Sequence, residues 1–437
     1  MLLLEFAVVL AAILIGARLG GIGLGVMGGL GLAVLTFAFG LKPATAPVDV
    51  MLMIVAVITA AGCLQAAGGM DYLVQIAEKL LRRHPKRITW FAPLVTYTFT
   101  LFAGTGHVAY SVLPVIAEVA RESGIRPERP LSISVISSQA GITASPISAA
   151  TVALLSLLAP AGVHLSDILM IAIPATLCGT LVGAFVASRL GVELDQDPVY
   201  LARLAAGDAQ PSSKAANLEL PASAKWSVWI FLAAAFSVVL LGSFPTLRPA
   251  WESGNQIVRL DMAQAIEMVM LSASALILLT SKVNPELVIR GSVFRAGAAA
   301  VIGIFGVAWM GDTFIQGNMG FFADNIQSAV TTAPWLFALA LFAMSILLYS
   351  QAATIRALMP LGLALGLPAP ALIAMFPSVN GYFFIPNYPT VIAAINFDQT
   401  GTTRIGRWLL NHSFMLPGLT CSIVSVGSGF LLSHFLM

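Results

Sequence analysis

Apolar residues fill this chain in long runs, and short charged segments separate them. About 20 apolar residues carry an α-helix across a bilayer. The pattern therefore predicts spans at roughly 2–17, 22–40 and 50–67, a longer run at 88–120, and spans at 131–160 and 167–188. A second half repeats the layout at roughly 226–243, 262–280, 296–315, 334–366, 369–396 and 408–436. Four of these runs are broken internally. The breaks are Gly104-Thr105-Gly106-His107, Ser145-Pro146-Ile147-Ser148, Ser350-Gln351-Ala352-Ala353 and Asn387-Tyr388-Pro389-Thr390. Pro114 and Pro360 each lie 10 residues past the start of their break (114 − 104 and 360 − 350). The break prolines Pro146 and Pro389 follow 32 and 29 residues later (146 − 114 and 389 − 360). Paired helix interruptions at corresponding places in two halves point to the binding site of a secondary transporter.

Composition supports a membrane domain. Apolar residues make up 58% of the 437, charged residues 10%, and the mean hydropathy is +0.91. Soluble domains carry about a quarter charged residues. A net charge of +2 gives no footing for nucleic acid. Cys63, Cys178 and Cys421 lie in apolar segments without metal-ligand spacing, so they read as structural thiols. With no phosphate loop, nucleophile elbow or His/Cys cluster, enzyme chemistry, a metal and a cofactor are not expected. The N-terminus is apolar from Leu2 and carries Glu5, which reads as a first membrane helix rather than a leader.

The basic residues set the topology. Lys79, Arg82, Arg83, Lys86 and Arg87 precede the 88–120 run, and Arg121, Arg126 and Arg129 follow it. Both clusters belong on the cytoplasmic side. The run between them then enters and leaves on one side, as a re-entrant hairpin with Gly104-Thr105-Gly106 at its tip. The 79–87 cluster also reads as a contact for anionic lipid. Each half has three spans, a hairpin, a broken span and a final span. Five crossings invert the second half, so its hairpin, tipped by Ser350-Gln351, enters from the opposite face. Arg18, Lys282, Arg290, Arg295, Arg404 and Arg407 then fall inside, with Lys42, Arg248 and Arg259 as external exceptions. The expected fold is an all-α polytopic membrane protein of two inverted repeats, 1–189 and 225–437, joined by a cytoplasmic linker at 190–224. Both termini are expected to be periplasmic.

A helix that stops at mid-membrane exposes N–H groups that lipid cannot satisfy, so such breaks are buried in protein or line a polar cavity. The resumed helices start near His107, Ile147, Ala352 and Thr390, and their positive ends suit an anion. Thr105, Ser145, Ser148, Ser350, Gln351, Thr354, Asn387 and Thr390 add hydroxyl and amide donors. Two facing anion sites fit a small molecule with a carboxylate at each end. A full charge at a helix centre costs about 2.5–3.5 kcal/mol on insertion scales, which explains the use of dipoles and hydroxyls. Arg356 is left with a substrate carboxylate, Asp312, Glu118 or the outer face as partners. His107 is either a donor, a proton-linked group or a structural hydrogen-bonder. Asp398, Glu267 and Glu5 lie near span ends and read as solvated there. The candidate binding set is Gly104, Thr105, Gly106, His107, Ser145, Pro146, Ser148, Ser350, Gln351, Ala352, Thr354, Arg356, Asn387, Pro389 and Thr390.

Several segments resemble the anaerobic four-carbon dicarboxylate uptake (Dcu) family. They are Gly104-Thr105-Gly106-His107, Ile125-Arg126-Pro127-Glu128-Arg129-Pro130, Ala144-Ser145-Pro146, Ser350-Gln351-Ala352-Ala353, the run from Phe397 to Arg407, and Asn411-His412-Ser413-Phe414. The resemblance spans nearly the whole chain. It implies a bacterial inner-membrane antiporter that exchanges fumarate, malate or aspartate for succinate. It also implies a homodimer in which an elevator-like transport part, about 88–189 and 334–437, moves against a scaffold at about 2–67 and 226–315. An Na⁺- or H⁺-coupled symporter of the same fold is the alternative. A channel would need a continuous polar pore, and a sensor an appended soluble domain. Two departures mark the second half. The family commonly reads Thr-Tyr-Pro-Ser-Asp where this chain has Asn387-Tyr388-Pro389-Thr390-Val391, and it has a small residue at the position of Arg356.

Overall fold

A computed structural model describes residues 1–19, 22–46, 48–206, 220–253, 256–318, 321, 333, 335–348, 350–386, 388–406 and 410–436. The apolar runs become helices. The first three are α1 (Leu2–Leu19), α2 (Gly23–Phe37) and α3 (Val48–Ala66). After α3 the chain bends by 69° into α4 (Gly69–Arg83), an amphipathic helix where a charged connection was expected. The broken run gives α5 (Ile88–Ala103) and α6 (Ala109–Glu122), and the broken span gives α7 (Glu128–Ala144) and α8 (Ala149–Leu158). Helix α9 (Leu165–Ala187) and the short α10 (Pro198–Ala206) follow.

The second half contains α11 (Ala222–Ser243), α12 (Met262–Ser281), α13 (Pro285–Arg290) and α14 (Ser292–Gly317). Next come α15 (Trp335–Leu348), α16 (Gln351–Ala364), α17 (Ala369–Met375), α18 (Pro389–Phe397) and α19 (Met415–Leu436). The all-α expectation needs one amendment. Between α11 and α12, strands β1 (Ala250–Ser253) and β2 (Gln256–Arg259) pair antiparallel, with Trp251 opposite Val258. Among the described residues, six helical stretches are long and apolar enough to cross a membrane, or up to seven if the bent α3–α4 pair counts as one.

Packing divides the helices into two groups. In one, α1 lies on α2, α2 on α14, α3 on α12 and α11 on α12. Helices α2 and α14 touch backbone to backbone: a Cβ on Gly306 would stand 1.7 Å from the Gly25 carbonyl oxygen. Small residues allow this approach where lipid supplies no hydrophobic drive for association. Outward faces of this group are apolar, as at Leu30, Leu271 and Leu279, so they suit acyl chains. In the other group α5 packs on α7, α7 on α9, and α19 on both α9 and α17. Interhelical hydrogen bonds join α5 to α7. Thr96 donates to the Ser134 carbonyl (2.9 Å) and Ser137 to that of Pro93 (2.7 Å). The groups meet where α14 touches α16, α3 touches α8, and α11 touches α4 and α9.

Two carboxylates read as solvated at span ends are buried. Glu5 is 4% exposed and accepts from Asn318 Nδ2 at 2.7 Å. Asp398 is 3% exposed and accepts from the Thr400 and Thr403 N–H groups and the Thr402 hydroxyl at 2.6–2.8 Å. Asp398 therefore has several donors for its buried carboxylate, whereas Glu5 has the one amide.

Candidate functional site

The first hairpin is built by α5 and α6. Its two ends lie at one level, because Arg82 reaches Glu118 (3.5 Å) and Glu122 (2.8 Å) at the far end of α6. At the tip, Gly104 ends α5 with φ +70°, a conformation that glycine adopts without strain. Thr105 follows, and Gly106–Val108 form a single 3₁₀ turn. The tip presses on the broken span behind it. A Cβ on Gly104 would lie 3.1 Å from the Ile147 carbonyl oxygen, and one on Gly106 would lie 2.3 Å from Gln139 Nε2. The His107 side chain lies outside the described residues.

The break itself is capped at both ends. Ser145 leaves α7 with extended backbone (ψ 129°), and its Oγ accepts from the Ile147 N–H at 3.4 Å. Pro146 is buried beside it. Ser148 caps α8, accepting from the Thr151 N–H (3.1 Å) and donating to the Thr151 hydroxyl (3.0 Å).

In the second hairpin, α15 and α16 run antiparallel, with Phe337 near the start of one against Gly362 near the end of the other. Ser350 caps α16 by accepting from the Ala353 N–H at 3.2 Å. Thr354 donates to the Ser350 carbonyl at 2.8 Å, and Ala352 is buried in the apolar core. Gln351 reaches across the molecule. Its Nε2 donates to the Gln139 carbonyl at 3.1 Å and to Asn380 Oδ1, while Asn380 Nδ2 donates to Pro377 O at 3.0 Å. The chain of donors fixes both amide orientations, because only nitrogen can face the two carbonyls. It leaves Gln351 Oε1 buried with no hydrogen-bond partner among the described residues.

The second broken span passes from α17 through 3₁₀ turns at Phe376–Val379 and Gly381–Phe383 before α18 resumes. Pro389 is exposed at the first position of α18. Thr390 is fully buried, and its hydroxyl has no hydrogen-bond partner among the described residues. Asn387 lies outside the described residues. The Tyr382 hydroxyl donates to the Val135 carbonyl of α7 at 3.3 Å, so the two broken spans lie against each other.

These contacts bring the two tips to one place. Gln139 holds Gly106 of the first tip against its side chain and Gln351 of the second tip on its carbonyl. The helices beyond the breaks also exchange partners: α16 packs on α8, and α6 on α18. The hydroxyls divide by role. Those of Ser148 and Thr354 donate within their own helices, whereas that of Thr390 has no such bond. Arg356 points to a different neighbour, interacting electrostatically with Asp312 of α14. The helices cross beside this pair, where a Cβ on Gly311 would lie 3.6 Å from that of Ala357.

Gln139 and Asn380 are absent from the candidate set read from sequence. A signal existed for the first. Helix α7 carries Ser132, Ser134, Ser137, Ser138 and Gln139, all buried, an unusual polar load for a membrane helix.

One face of the protein gathers the charged connections. Arg126 donates to Glu128 (2.5 Å) and to Asp197, just before α10, and Ser413 donates to Glu128 at 2.6 Å. Arg203 and Arg121 both reach Gln399. Burial pushes the Asp197 carboxyl up, but the Tyr200 N–H, Arg126 and the Val199 N–H outweigh it and hold it below the usual carboxylate range. The segments 121–129, 190–206, 398–406 and 410–413 thus share one side.

Residues 1–437 match the family described as anaerobic c4-dicarboxylate membrane transporter. The chain is 45% identical over 437 residues to the C4-dicarboxylate transporter DcuA of Wolinella succinogenes, covering 100% of both. It is 44% identical to the protein of the same name from Escherichia coli, again over 100% of both chains. The anaerobic C4-dicarboxylate transporter DcuB of Escherichia coli is 42% identical, over 98% of this chain and 97% of that one. Among solved structures, the YdaH transporter of Alcanivorax borkumensis shares the fold with a TM-score of 0.60 at 15% identity, covering 95% of this chain and 98% of that one. MtrF of Neisseria gonorrhoeae, from a class of antimetabolite efflux pumps, follows with a TM-score of 0.55 at 14% identity, over 93% and 84%.

Proposed function

Since this chain belongs to the anaerobic C4-dicarboxylate membrane transporter family, we propose that it is an antiporter in the bacterial inner membrane. It takes in fumarate, malate or aspartate and releases succinate, by an elevator-like movement. The observation that carries the reading is the meeting of both hairpin tips on Gln139. In this reading the ends of α6, α8, α16 and α18 supply N–H donors from two sides, and one carboxylate lies against each pair. Thr105, Ser145, Ser350 and Thr390 line the same junction, with Asn387 and His107 next to it in sequence.

Exchange follows from the same polar groups. An empty site leaves the Thr390 hydroxyl, a donor that a carboxylate would satisfy, unpaired in a dry interior, at about 1–3 kcal/mol for an unsatisfied group. Moving the loaded site is therefore easier than moving the empty one. The moving part would contain the hairpins, both broken spans, α9 and α19. The fixed part would contain α1–α3 and α11–α14 and would supply the dimer contact. The separate packing of the two groups supports this division, as does the exchange of α16–α8 and α6–α18 contacts for inverted repeats. Both termini would be periplasmic.

A second reading, Na⁺- or H⁺-coupled symport, also has an observation behind it. Gln351 Oε1 is an acceptor, which a cation satisfies and a carboxylate does not. Proteoliposomes preloaded with succinate and given external labelled fumarate distinguish the two. Antiport predicts rapid uptake that disappears when the lumen is empty. Uptake into empty vesicles driven by an imposed Na⁺ or proton gradient would reverse the choice.

A further inference from the structure

Helix α4 presents two different faces. Gly69, Met70, Ala77 and Leu81 are buried against the protein. Beside them, Arg82 binds Glu78 (2.8 Å), Glu118 (3.5 Å) and Glu122 (2.8 Å), so a single arginine occupies the nearby carboxylates. The outer face carries Ile76 (44% exposed) and Leu80 (40% exposed) between the exposed Lys79 and Arg83. Positions 76, 79, 80 and 83 follow the i, i+3, i+4, i+7 spacing of one helical stripe. The next turn, Pro85–Arg87, adds exposed Lys86 and Arg87, and Trp90 at the start of α5 is 38% exposed. No ion pair engages Lys79, Arg83, Lys86 or Arg87 among the described residues.

We propose that this stripe is a docking face for anionic phospholipid headgroups at the membrane–water interface. A helix that lies in the interface buries its apolar stripe at the acyl boundary and directs lysine and arginine to the phosphates. The 69° bend after α3 turns α4 away from the line of the preceding span, as an interfacial helix requires. Trp90 follows at the depth where tryptophan collects in membranes. Four exposed cations without an ion pair among the described residues, set against an anionic leaflet, provide the charge complementarity that selects this occupant. Helix α4 also joins α3 to the first hairpin, so bound lipid would anchor the point where that hairpin leaves the interface.

The test uses the full chain in bilayers of phosphatidylcholine with increasing amounts of acyl-brominated phosphatidylglycerol or acyl-brominated phosphatidylcholine. The measured signal is the Trp90-dependent emission, wild type minus Trp90→Phe. Brominated phosphatidylglycerol should half-quench it at a mole fraction at least about fivefold lower, the factor that one engaged basic residue supplies. Lys79→Gln with Arg83→Gln should narrow the gap between the two lipids severalfold, leaving Lys86 and Arg87 to preserve topology. Raising salt from about 0.05 to 0.5 M should do the same to the wild type. Equal quenching by the two lipids in the wild type overturns the proposal. So does selectivity that salt removes but the double variant retains undiminished, because the headgroups would then bind elsewhere.

Discussion

Gln351→Glu tests whether the substrate site is assembled from both hairpin tips. The amide nitrogen of Gln351 donates to the Gln139 carbonyl at 3.1 Å and to Asn380 Oδ1, and a carboxylate donates to neither. Two lost bonds of about 0.5–1.5 kcal/mol each lower the stability of the empty protein. The larger effect falls on binding. A new negative charge about 5 Å from a substrate carboxylate, at an effective dielectric of about 20, opposes it by about 3 kcal/mol, or roughly a hundredfold in affinity. The assay is thermal unfolding in detergent with and without fumarate, comparing the ligand-induced increment within each variant so that apo stability cancels. At a ligand concentration of about 100 Kd the wild type gains about 2.7 kcal/mol, and a variant weakened a hundredfold gains less than about 0.5. An unchanged increment in Gln351→Glu would refute the two-tip site, however much the variant's own melting temperature fell.

Other consequences can be checked with the same preparations. If Asp312 is the partner of Arg356, then Asp312→Asn and Arg356→Gln should each destabilise the protein by about 1–3 kcal/mol. The double variant should lose less than their sum, because leaving one charge of a half-buried pair alone costs more than removing both. Additive losses, with fumarate affinity lost only where Arg356 is absent, would instead assign that arginine to substrate. Gly306→Val forces a side chain against the Gly25 carbonyl, 1.7 Å from its Cβ, whereas Gly303 has nothing within 4 Å. Gly306→Val should therefore cost at least about 1–3 kcal/mol, and Gly303→Val should melt near the wild type. For Asp197 the lowered folded value means that its stabilisation is complete above about pH 4 and is lost as pH falls through that value. Wild type and Asp197→Asn should therefore differ in melting temperature at pH 7, and the difference should shrink as pH falls below the usual carboxylate range.

The breaks were visible in the sequence because a membrane span is a long apolar run, and glycine, serine or proline inside one has a cost that something must offset. Gly104, Ser145, Ser148 and Ser350 all end or cap helices in the folded chain. What could not be read was which distant group each break would meet. Gln139 sits in an unbroken helix and acquires its place only through Gln351, 212 residues away. Asn380 is likewise a single amide in an apolar run until Gln351 donates to it. Helix α4 was hidden for the opposite reason: its charges outweighed the apolar residues Ile76, Ala77, Leu80 and Leu81, which reveal a helix only when read at a 3.6 period. Asp398 shows a third case, since its position at a span end suggested solvent, whereas the threonines that satisfy it follow within five residues. At Gln139 and Asp398 position along the chain placed the residue in or beside a span, and partnership decided the burial. A bilayer interior makes that partnership obligatory. Thr390 and Gln351 Oε1, which have no hydrogen-bond partner among the described residues, are therefore places at the breaks where an arriving substrate or ion changes the energy.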